Sequence, residues 1–458
     1  MTSISTKKKE KEKSVCVKMG PLLILLVASF IPLLNTLYGY HRDISTQRNI
    51  TEHYFQRSHD VVSRFIDTDR AAAFDTLIAK LGSNTYKANA TTYFHRGTPD
   101  GADINAPRPR ENATLLMLVR NFEVDAAIES MRNLEDRFNK YYHYDWTFLN
   151  DVPFTNEFIE KTTAFASGKT QYALIPYDDW NRPPWIDEEL FEQKLVEMEE
   201  NNVIYGGSRS YRNMCRFNSG FFFRQKILEN YDYYFRVEPG VQYFCDFPYD
   251  PFRVMRLGKK KYGFVVSLYE YSETIPSLWD TVEKYMEEDQ GETIDNEHNA
   301  YSFLTDKEKI NGYPPPYVVE GDYNLCHFWS NFEIGDLNFF RSDRYIKFFD
   351  YLDRAGGFYY ERWGDAPVHS IIASLLLEKD EFIHFDQIAY FHNPYFTCPV
   401  AFLERLDQRC ICDPEPIENI DIQPVSCLMR WWRHGGGKRF IREDSWADSG
   451  LPLDKSRF

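Results

Sequence analysis

The sequence predicts an α/β fold in which helices cover both faces of a mostly parallel sheet. Two observations support this prediction: short apolar runs typical of buried strands recur along the chain, and segments with apolar residues at helical spacing separate them. Strands that alternate with helices pair in parallel because each helix returns the chain across the sheet. Ligands of such sheets bind beyond the carboxyl ends of the strands, so polar residues that follow strands are the first candidates for a site.

The individual elements follow from local periodicity. Thr114–Val119 is a continuous apolar run, typical of a strand buried on both faces, and Glu123–Lys140 has the spacing of an amphipathic helix. The same reasoning predicts further strands at Trp146–Leu149, Tyr172–Pro176, Val203–Gly206 and Phe264–Leu268. It predicts further helices at Ile186–Glu200, Leu278–Glu288 and Ile371–Leu377.

The N-terminal region has the pattern of a membrane anchor. A lysine-rich segment, residues 1–18, precedes an uncharged apolar run from Met19 to Tyr38, which as a helix would span about 30 Å of hydrocarbon. Positive charge before the run favours a cytosolic N-terminus. The pattern predicts a cytosolic tail (1–18), a single-pass transmembrane signal anchor (19–38) and a lumenal remainder.

The lumenal part divides by composition. Residues 39–110 are polar and predict a stem, residues 111–398 hold the α/β pattern and predict one globular domain, and residues 399–458 form a Cys-containing tail expected to pack on that domain. N-glycosylation sequons begin at Asn49, Asn89 and Asn112. Their position after the anchor agrees with a lumenal location.

Seven of the eight cysteines also follow the predicted anchor, and an oxidising lumen favours their pairing. Cys410 and Cys412 are too close together for an easy bridge and are expected to pair with more distant cysteines. The odd count leaves at least one cysteine free or intermolecular, and the sequence does not give the connectivity.

Composition narrows the function classes. A formal net charge of -16 argues against a nucleic-acid partner, because phosphate binding needs a basic face. Aromatic residues make up 17% of the chain, which permits stacking on sugar rings, although an aromatic-rich core is the commoner explanation. No phosphate-binding glycine loop is present in the sequence, so a metal or basic side chains would have to neutralise a bound diphosphate.

Four residues in the α/β region are candidates for a role in chemistry. Glu238 follows an aromatic strand, beside Arg236, and could hold a divalent cation against a diphosphate, or be a surface residue at a turn. Glu333 lies between apolar residues and could point at an anomeric carbon, or it could be an acid on the exposed face of an edge strand. Asp365 lies where a helix is expected to begin and could either cap that helix or contact the acceptor or act as a base. His392 ends a strand before a turn and could be a metal ligand.

Several long strings together resemble the fungal α-1,2-mannosyltransferase family, glycosyltransferase family 15. They are Leu118–Asn121, Phe148–Asp151, Tyr205–Ser208, Tyr211–Arg216, Arg236–Pro239, Cys326–Glu333 and Tyr360–His369. The resemblance covers about residues 112–399. It implies a GT-A-like fold, a type II Golgi membrane enzyme, dependence on Mn²⁺ and GDP-mannose, and mannosylated O- or N-linked glycans of glycoproteins as acceptors.

The resemblance also implies roles for particular residues. Glu238 and His392 would bind Mn²⁺, and Glu333 would act as nucleophile or charge stabiliser on the donor. Tyr211 and Arg212 would bind the donor, and Asp365 would contact the acceptor or act as a base. Arg236 is a donor-site candidate from its position beside Glu238, as a phosphate or salt-bridge partner. The expected reaction is transfer of mannose to the 2-hydroxyl of an acceptor mannose with retention of configuration.

Retention leaves two routes open: a covalent glycosyl intermediate on Glu333, or attack on the same face as the departing phosphate. Two other functions are also weighed. A glycoside hydrolase would use Glu333 and Asp365 as its paired carboxylates and need no nucleotide. A catalytically silent, membrane-tethered mannan-binding protein would need only the aromatic surface.

Overall fold

The computed structural model describes residues 110–288, 294–309, 322–412 and 419–438. The predicted cytosolic tail, membrane anchor and nearly all of the stem lie outside the described residues, as do the sequons at Asn49 and Asn89. Among the helices that are described, none is both long and apolar enough to cross a bilayer.

The described segments contain strands and helices in alternation over most of their length. The strands are β1 (Ala113–Leu118), β2 (Asp145–Asn150), β3 (Thr170–Leu174), β4 (Tyr233–Arg236), β5 (Gln242–Tyr243), β6 (Tyr262–Phe264), β7 (Ser267–Tyr269), β8 (Cys326–Phe328), β9 (Glu333–Asp336), β10 (Phe382–His384), β11 (Tyr390–His392) and β12 (Tyr395–Thr397). The α-helices are α1 (Val124–Arg137), α2 (Asn156–Phe165), α3 (Tyr177–Trp180), α4 (Glu188–Glu200), α5 (Arg209–Gly220), α6 (Pro251–Leu257), α7 (Leu278–Glu288), α8 (Tyr301–Thr305), α9 (Leu337–Phe340), α10 (Asp343–Ala355), α11 (Gly357–Tyr360), α12 (Asp365–Leu376), α13 (Phe402–Asp407) and α14 (Leu428–His434).

The main sheet has seven strands in the order β10-β6-β9-β4-β1-β2-β3. β9 runs antiparallel to its neighbours β4 and β6, and the other pairs are parallel. The predicted mixed, mostly parallel sheet is therefore confirmed. Because β9 lies next to β4, the first residue of β9 is paired with the last residue of β4, Glu333 opposite Arg236.

Apolar side chains cover the main sheet on both faces. In β1, Leu116 belongs to one buried cluster, whereas its neighbours Leu115 and Met117 belong to another. Successive side chains of a strand point to opposite faces, so the two clusters are the two sides of the sheet. Burial on both sides explains why β1 reads as an unbroken apolar run rather than as an alternating one.

Helix boundaries follow local capping chemistry. α10 begins after Ser342, whose side chain accepts a hydrogen bond from the backbone of Tyr345, and it ends at Gly356, which has a φ of 80°. The predicted helix Leu278–Glu288 is reproduced as α7. Asp365 is the first residue of α12 rather than its cap, because Gly364 holds the capping position.

Two predicted strands are wrong. Val203–Gly206 forms turns instead of a strand. The backbone N–H of Val203 donates a hydrogen bond to the carbonyl of Met198 near the end of α4, and Tyr205 has a left-handed φ of 57°. The apolar run Phe264–Leu268 is divided between β6 and β7, which belong to different sheets. An apolar run does not reveal the point at which a chain leaves one sheet for another.

Three disulfides tie the C-terminal segment to the sheet domain. They are Cys245–Cys410, Cys326–Cys427 and Cys398–Cys412. The expectation that Cys410 and Cys412 pair with other cysteines is confirmed. Cys215 is buried and free, which accounts for the odd count among the described cysteines.

Candidate active site

A cavity opens at the carboxyl ends of β1, β2 and β4, where ligands of parallel sheets bind. Its lining includes Arg120, Asn150, Arg236, Glu238 and Glu333. The predicted site residues Arg236, Glu238 and Glu333 therefore share one cavity. Their meeting follows from the strand order, since β4 separates β1 from β9.

Glu238 is held at the end of β4 by its neighbour Arg236. The Arg236 Nε atom donates to Glu238 Oε1 at 2.9 Å, and its Nη2 atom donates to the same oxygen. Pro239 and Gly240, whose φ is 83°, then turn the chain away. Glu238 Oε1 is thus occupied, which leaves Oε2 available to a ligand.

His392 points at that available oxygen. The end of β11 places its Nε2 atom 3.8 Å from Glu238 Oε2, and the Trp329 ring packs edge-on against the imidazole at 5.0 Å. The buried Nδ1 atom of His392 has no hydrogen-bond partner in the described structure. A carboxylate oxygen and an imidazole nitrogen that converge at this distance fit a Mn²⁺ ion, which accepts both ligand types.

Asp365 anchors Arg236 from the opposite side. Arg236 Nη1 donates to Asp365 Oδ2 at 2.5 Å, and the Ser330 hydroxyl donates to the same oxygen at 2.7 Å. Burial raises the pKa of the Asp365 carboxyl, but the charges of Arg236 and His369 and the hydrogen bonds from Arg236 and Ser330 together leave the pKa below its usual value. Asp365 is therefore ionised, its Oδ2 atom is held by Arg236 and Ser330, and its acceptor or base role stays a prediction.

Glu333 is completely buried at the start of β9, yet it forms part of the cavity lining. Its carboxylate accepts hydrogen bonds from the hydroxyls of Tyr234 and Tyr262 and lies 2.8 Å from His369 Nδ1. Burial raises the pKa of Glu333, but the charge and hydrogen bond of His369, with the two tyrosine bonds, lower it below its ordinary value. A carboxylate in this setting is negatively charged.

Tyr211 and Arg212, the other predicted donor-site residues, lie on the first turn of α5. The guanidinium of Arg212 is fully buried and donates to the backbone carbonyls of Glu361 and Ser208. The Tyr211 hydroxyl accepts a hydrogen bond from Arg362 at 3.2 Å. These contacts join α5 to the loop before α12, and the donor-site roles of both residues stay predictions.

Sequence reasoning missed several residues of this site. Tyr234, Tyr262 and His369 surround Glu333 but come from β4, β6 and α12. Asn150, at the end of β2, lines the cavity with a buried side-chain amide nitrogen that has no hydrogen-bond partner in the described structure. Asn150 follows a predicted strand, so the rule that ligands bind at strand ends could have identified it.

The family model for "Glycolipid 2-alpha-mannosyltransferase" matches residues 72–435. The chain belongs to this family. One curated relative, named "Probable mannosyltransferase KTR2", from Saccharomyces cerevisiae, is 59% identical over 424 residues, which are 93% of this chain and 96% of the relative. Membership of a mannosyltransferase family, together with the cavity, favours a transferase over both the hydrolase and the silent binding protein.

Two solved structures of mannosyltransferases resemble the fold. Core-mannan synthase A from Aspergillus fumigatus, in a form with Mn and GDP, is 37% identical and gives a TM-score of 0.66. The match covers 75% of this chain and 92% of the chain of that structure. Ktr4p from S. cerevisiae in complex with GDP is 34% identical and gives a TM-score of 0.67, and the match covers 80% of this chain and 97% of the chain of that structure. The GT-A-like architecture is confirmed for the described domain.

Proposed function

We propose that this member of the mannosyltransferase family is a retaining, Mn²⁺-dependent α-1,2-mannosyltransferase. It moves mannose from GDP-mannose to the 2-hydroxyl of a mannose on O- or N-linked glycans of glycoproteins. The observation that carries the proposal is the approach of Glu238 Oε2 and His392 Nε2 to 3.8 Å beside the cavity. The two solved relatives described above contain GDP, and one of them contains Mn.

The roles of the residues follow from their contacts. Glu238 and His392 would hold Mn²⁺, which when bound neutralises charge on the diphosphate of the donor. Arg236 orients Glu238 and adds positive charge to the cavity, and Asp365 fixes Arg236. Glu333 supplies the negative charge that stabilises an oxocarbenium-like anomeric carbon.

The reaction can be tested with purified full-length protein. Transfer from GDP-mannose to methyl α-mannoside should require Mn²⁺ and yield an α-1,2-linked disaccharide, identified by NMR. Glu238→Ala and Glu333→Ala should each abolish product. Release of free mannose from mannosides without any nucleotide would instead identify a hydrolase, and mannoside binding without turnover would identify a silent binding protein.

The location is part of the same proposal. Residues 19–38 anchor the chain in the Golgi membrane as a single-pass type II protein, and the catalytic domain lies in the lumen. Three disulfides within the described domain support an oxidising compartment. In sealed Golgi vesicles the domain should resist added protease until detergent is present; digestion without detergent would contradict the proposed orientation.

A further inference from the structure

Glu333 has three hydrogen-bond donors around a carboxylate that reaches the cavity. Tyr234 donates to Oε1, and Tyr262 and His369 donate to Oε2. A carboxylate has about four lone-pair positions, so these three donors leave about one, on Oε1, for a ligand. Each donor also stabilises the ionised form, which makes the oxygen less basic and a weaker nucleophile.

The protonation of His369 follows from its second contact. Its Nε2 atom lies 2.9 Å from the backbone carbonyl oxygen of Asn218, which can only accept a hydrogen bond, so Nε2 carries a proton. Its Nδ1 atom faces the ionised Glu333 at 2.8 Å and therefore carries a proton as well. The imidazole is a cation with both nitrogens donating, and it is only 1% exposed.

The surroundings of the pair support the same charge state. Phe222 and Phe340 pack around the His369 ring, which excludes water. Burial lowers the pKa of His369, but the charge and hydrogen bond of the Glu333 carboxylate and the nearby Asp365 charge together raise it above its usual value. The charged and titratable groups that face the pair are Tyr234 and Arg236 on β4, Tyr262 on β6, Tyr345 on α10 and Asp365 on α12.

We propose that His369 is a positioning residue that holds Glu333 in place as an ionised stabiliser that forms no covalent bond to the sugar. The acceptor then attacks the anomeric carbon on the same face from which the phosphate leaves. This inference rests on the proposed function. The bond between the anomeric carbon and the phosphate oxygen breaks, and GDP leaves with the electron pair. The acceptor oxygen bonds to the same face of that carbon and its proton passes to the leaving phosphate, while Glu333 remains unmodified.

His369→Asn tests the positioning role, because asparagine can keep an N–H toward Glu333 but carries no charge. We expect the variant to fold, to lower kcat by about 10-fold or more, and to change the KM for GDP-mannose much less. The acidic limb of its kcat profile should move to higher pH, since Glu333 loses the neighbouring charge that keeps it ionised.

His384→Gln is the matched control, because His384 is another buried histidine that donates to a backbone carbonyl, that of Val265, outside this cluster. It should keep the kcat and the pH profile of the wild type. A His369→Asn variant with wild-type kcat and an unmoved acidic limb would reduce His369 to a packing role and overturn the proposal.

The non-covalent role has a separate measurement. Wild-type protein and His369→Asn are mixed with GDP-mannose and Mn²⁺ without acceptor, quenched in acid, digested and examined by mass spectrometry. The peptide containing Glu333 should carry no hexosyl group, and a hexosyl group on Glu333 would overturn the proposal. If the wild type forms no mannosyl product in the parallel assay with acceptor, the proposed function itself has failed, which is a distinct result.

Discussion

The Nε2 atom of His392 lies 3.8 Å from Oε2 of Glu238, while Arg236 occupies the other oxygen of that carboxylate. Glu238 follows a strand of the main sheet, whereas His392 ends a strand of the small sheet β12-β11-β5. The two sheets therefore bring together one oxygen and one nitrogen ligand. Arg236 prevents bidentate binding through both oxygens of Glu238, so the expected metal bond is made by Oε2.

Glu238→Gln and His392→Ala should each weaken Mn²⁺ binding in the presence of GDP and lower transfer activity by at least about 100-fold, because each removes one of the two protein ligands. Binding is measured by electron paramagnetic resonance of free Mn²⁺. His384→Gln, which changes a buried histidine that donates to the Val265 carbonyl away from the cavity, is the control and should bind Mn²⁺ like the wild type. Unchanged Mn²⁺ affinity in both site variants would refute the assignment of the ligands.

Asp365→Asn should damage both stability and activity, because it leaves the buried Arg236 guanidinium without a charged partner on one side. We expect a loss of about 3 kcal/mol in the free energy of unfolding. Ser330→Ala removes only a hydroxyl donor to Asp365 and should cost about 1 kcal/mol. Both values can be measured by urea denaturation, alongside kcat/KM.

Asp353→Asn provides a matched control for that prediction. It breaks the buried pair in which Arg216 donates twice to Asp353 at 2.8 Å, a pair that joins α5 to α10. Its stability loss should be similar, but kcat should stay close to that of the wild type. Equal loss of kcat in both variants would show that Asp365 acts only through general stability.

The part of the fold that sequence could predict is the part encoded locally. β1 and α7 have continuous or helical apolar patterns, and both were found within a residue or two of their predicted bounds. Val203–Gly206 has strand-forming residues, but backbone hydrogen bonds to the end of α4 turn it back. Those hydrogen bonds depend on where α4 ends, and the four residues themselves give no information about that.

The site shows the same limit. Glu238 could be selected because a Pro-Gly turn follows it directly. The residues that bond Glu333 could not be identified from the sequence. Tyr234, Tyr262 and His369 are brought together only by the order of β4, β9 and β6 and by the packing of α12. Local sequence names the residue types, and the strand order determines which of them meet.

Replacing both cysteines of the Cys326–Cys427 bridge by alanine should lower the free energy of unfolding by about 2–5 kcal/mol. The bridge joins β8 to the start of α14, so its loss removes the covalent link between these two elements, while the other two disulfides remain. Cys215→Ala removes a buried but free thiol and serves as the control. If both proteins unfold at the same denaturant concentration, the bridge contributes nothing to stability.

The last prediction concerns acid stability and His384. Burial against Phe264 and Trp432 lowers the pKa of His384 to about 4, below the usual value of about 6.5, and its Nε2 atom donates to the Val265 carbonyl at 3.0 Å. The unfolded chain therefore binds a proton between these pH values that the folded chain does not. Unfolding becomes easier as the pH falls from about 6.5 to about 4, by up to about 3 kcal/mol from this residue.

His384→Gln should reduce this acid sensitivity, because glutamine can keep a donor for Val265 but never takes up a proton. The variant should be somewhat less stable than the wild type at pH 7, since it loses the ring contacts with Phe264, yet it should lose less stability between pH 7 and pH 4.5. Urea denaturation at both pH values measures the difference. His298→Gln, at an exposed position, should lose at least as much stability on acidification as the wild type, because the hydrogen bond to Asp295 raises the pKa of His298 and the variant lacks that stabilisation at low pH. Parallel acid profiles for wild type and His384→Gln would mean that His384 takes up a proton as readily in the folded state as in the unfolded state.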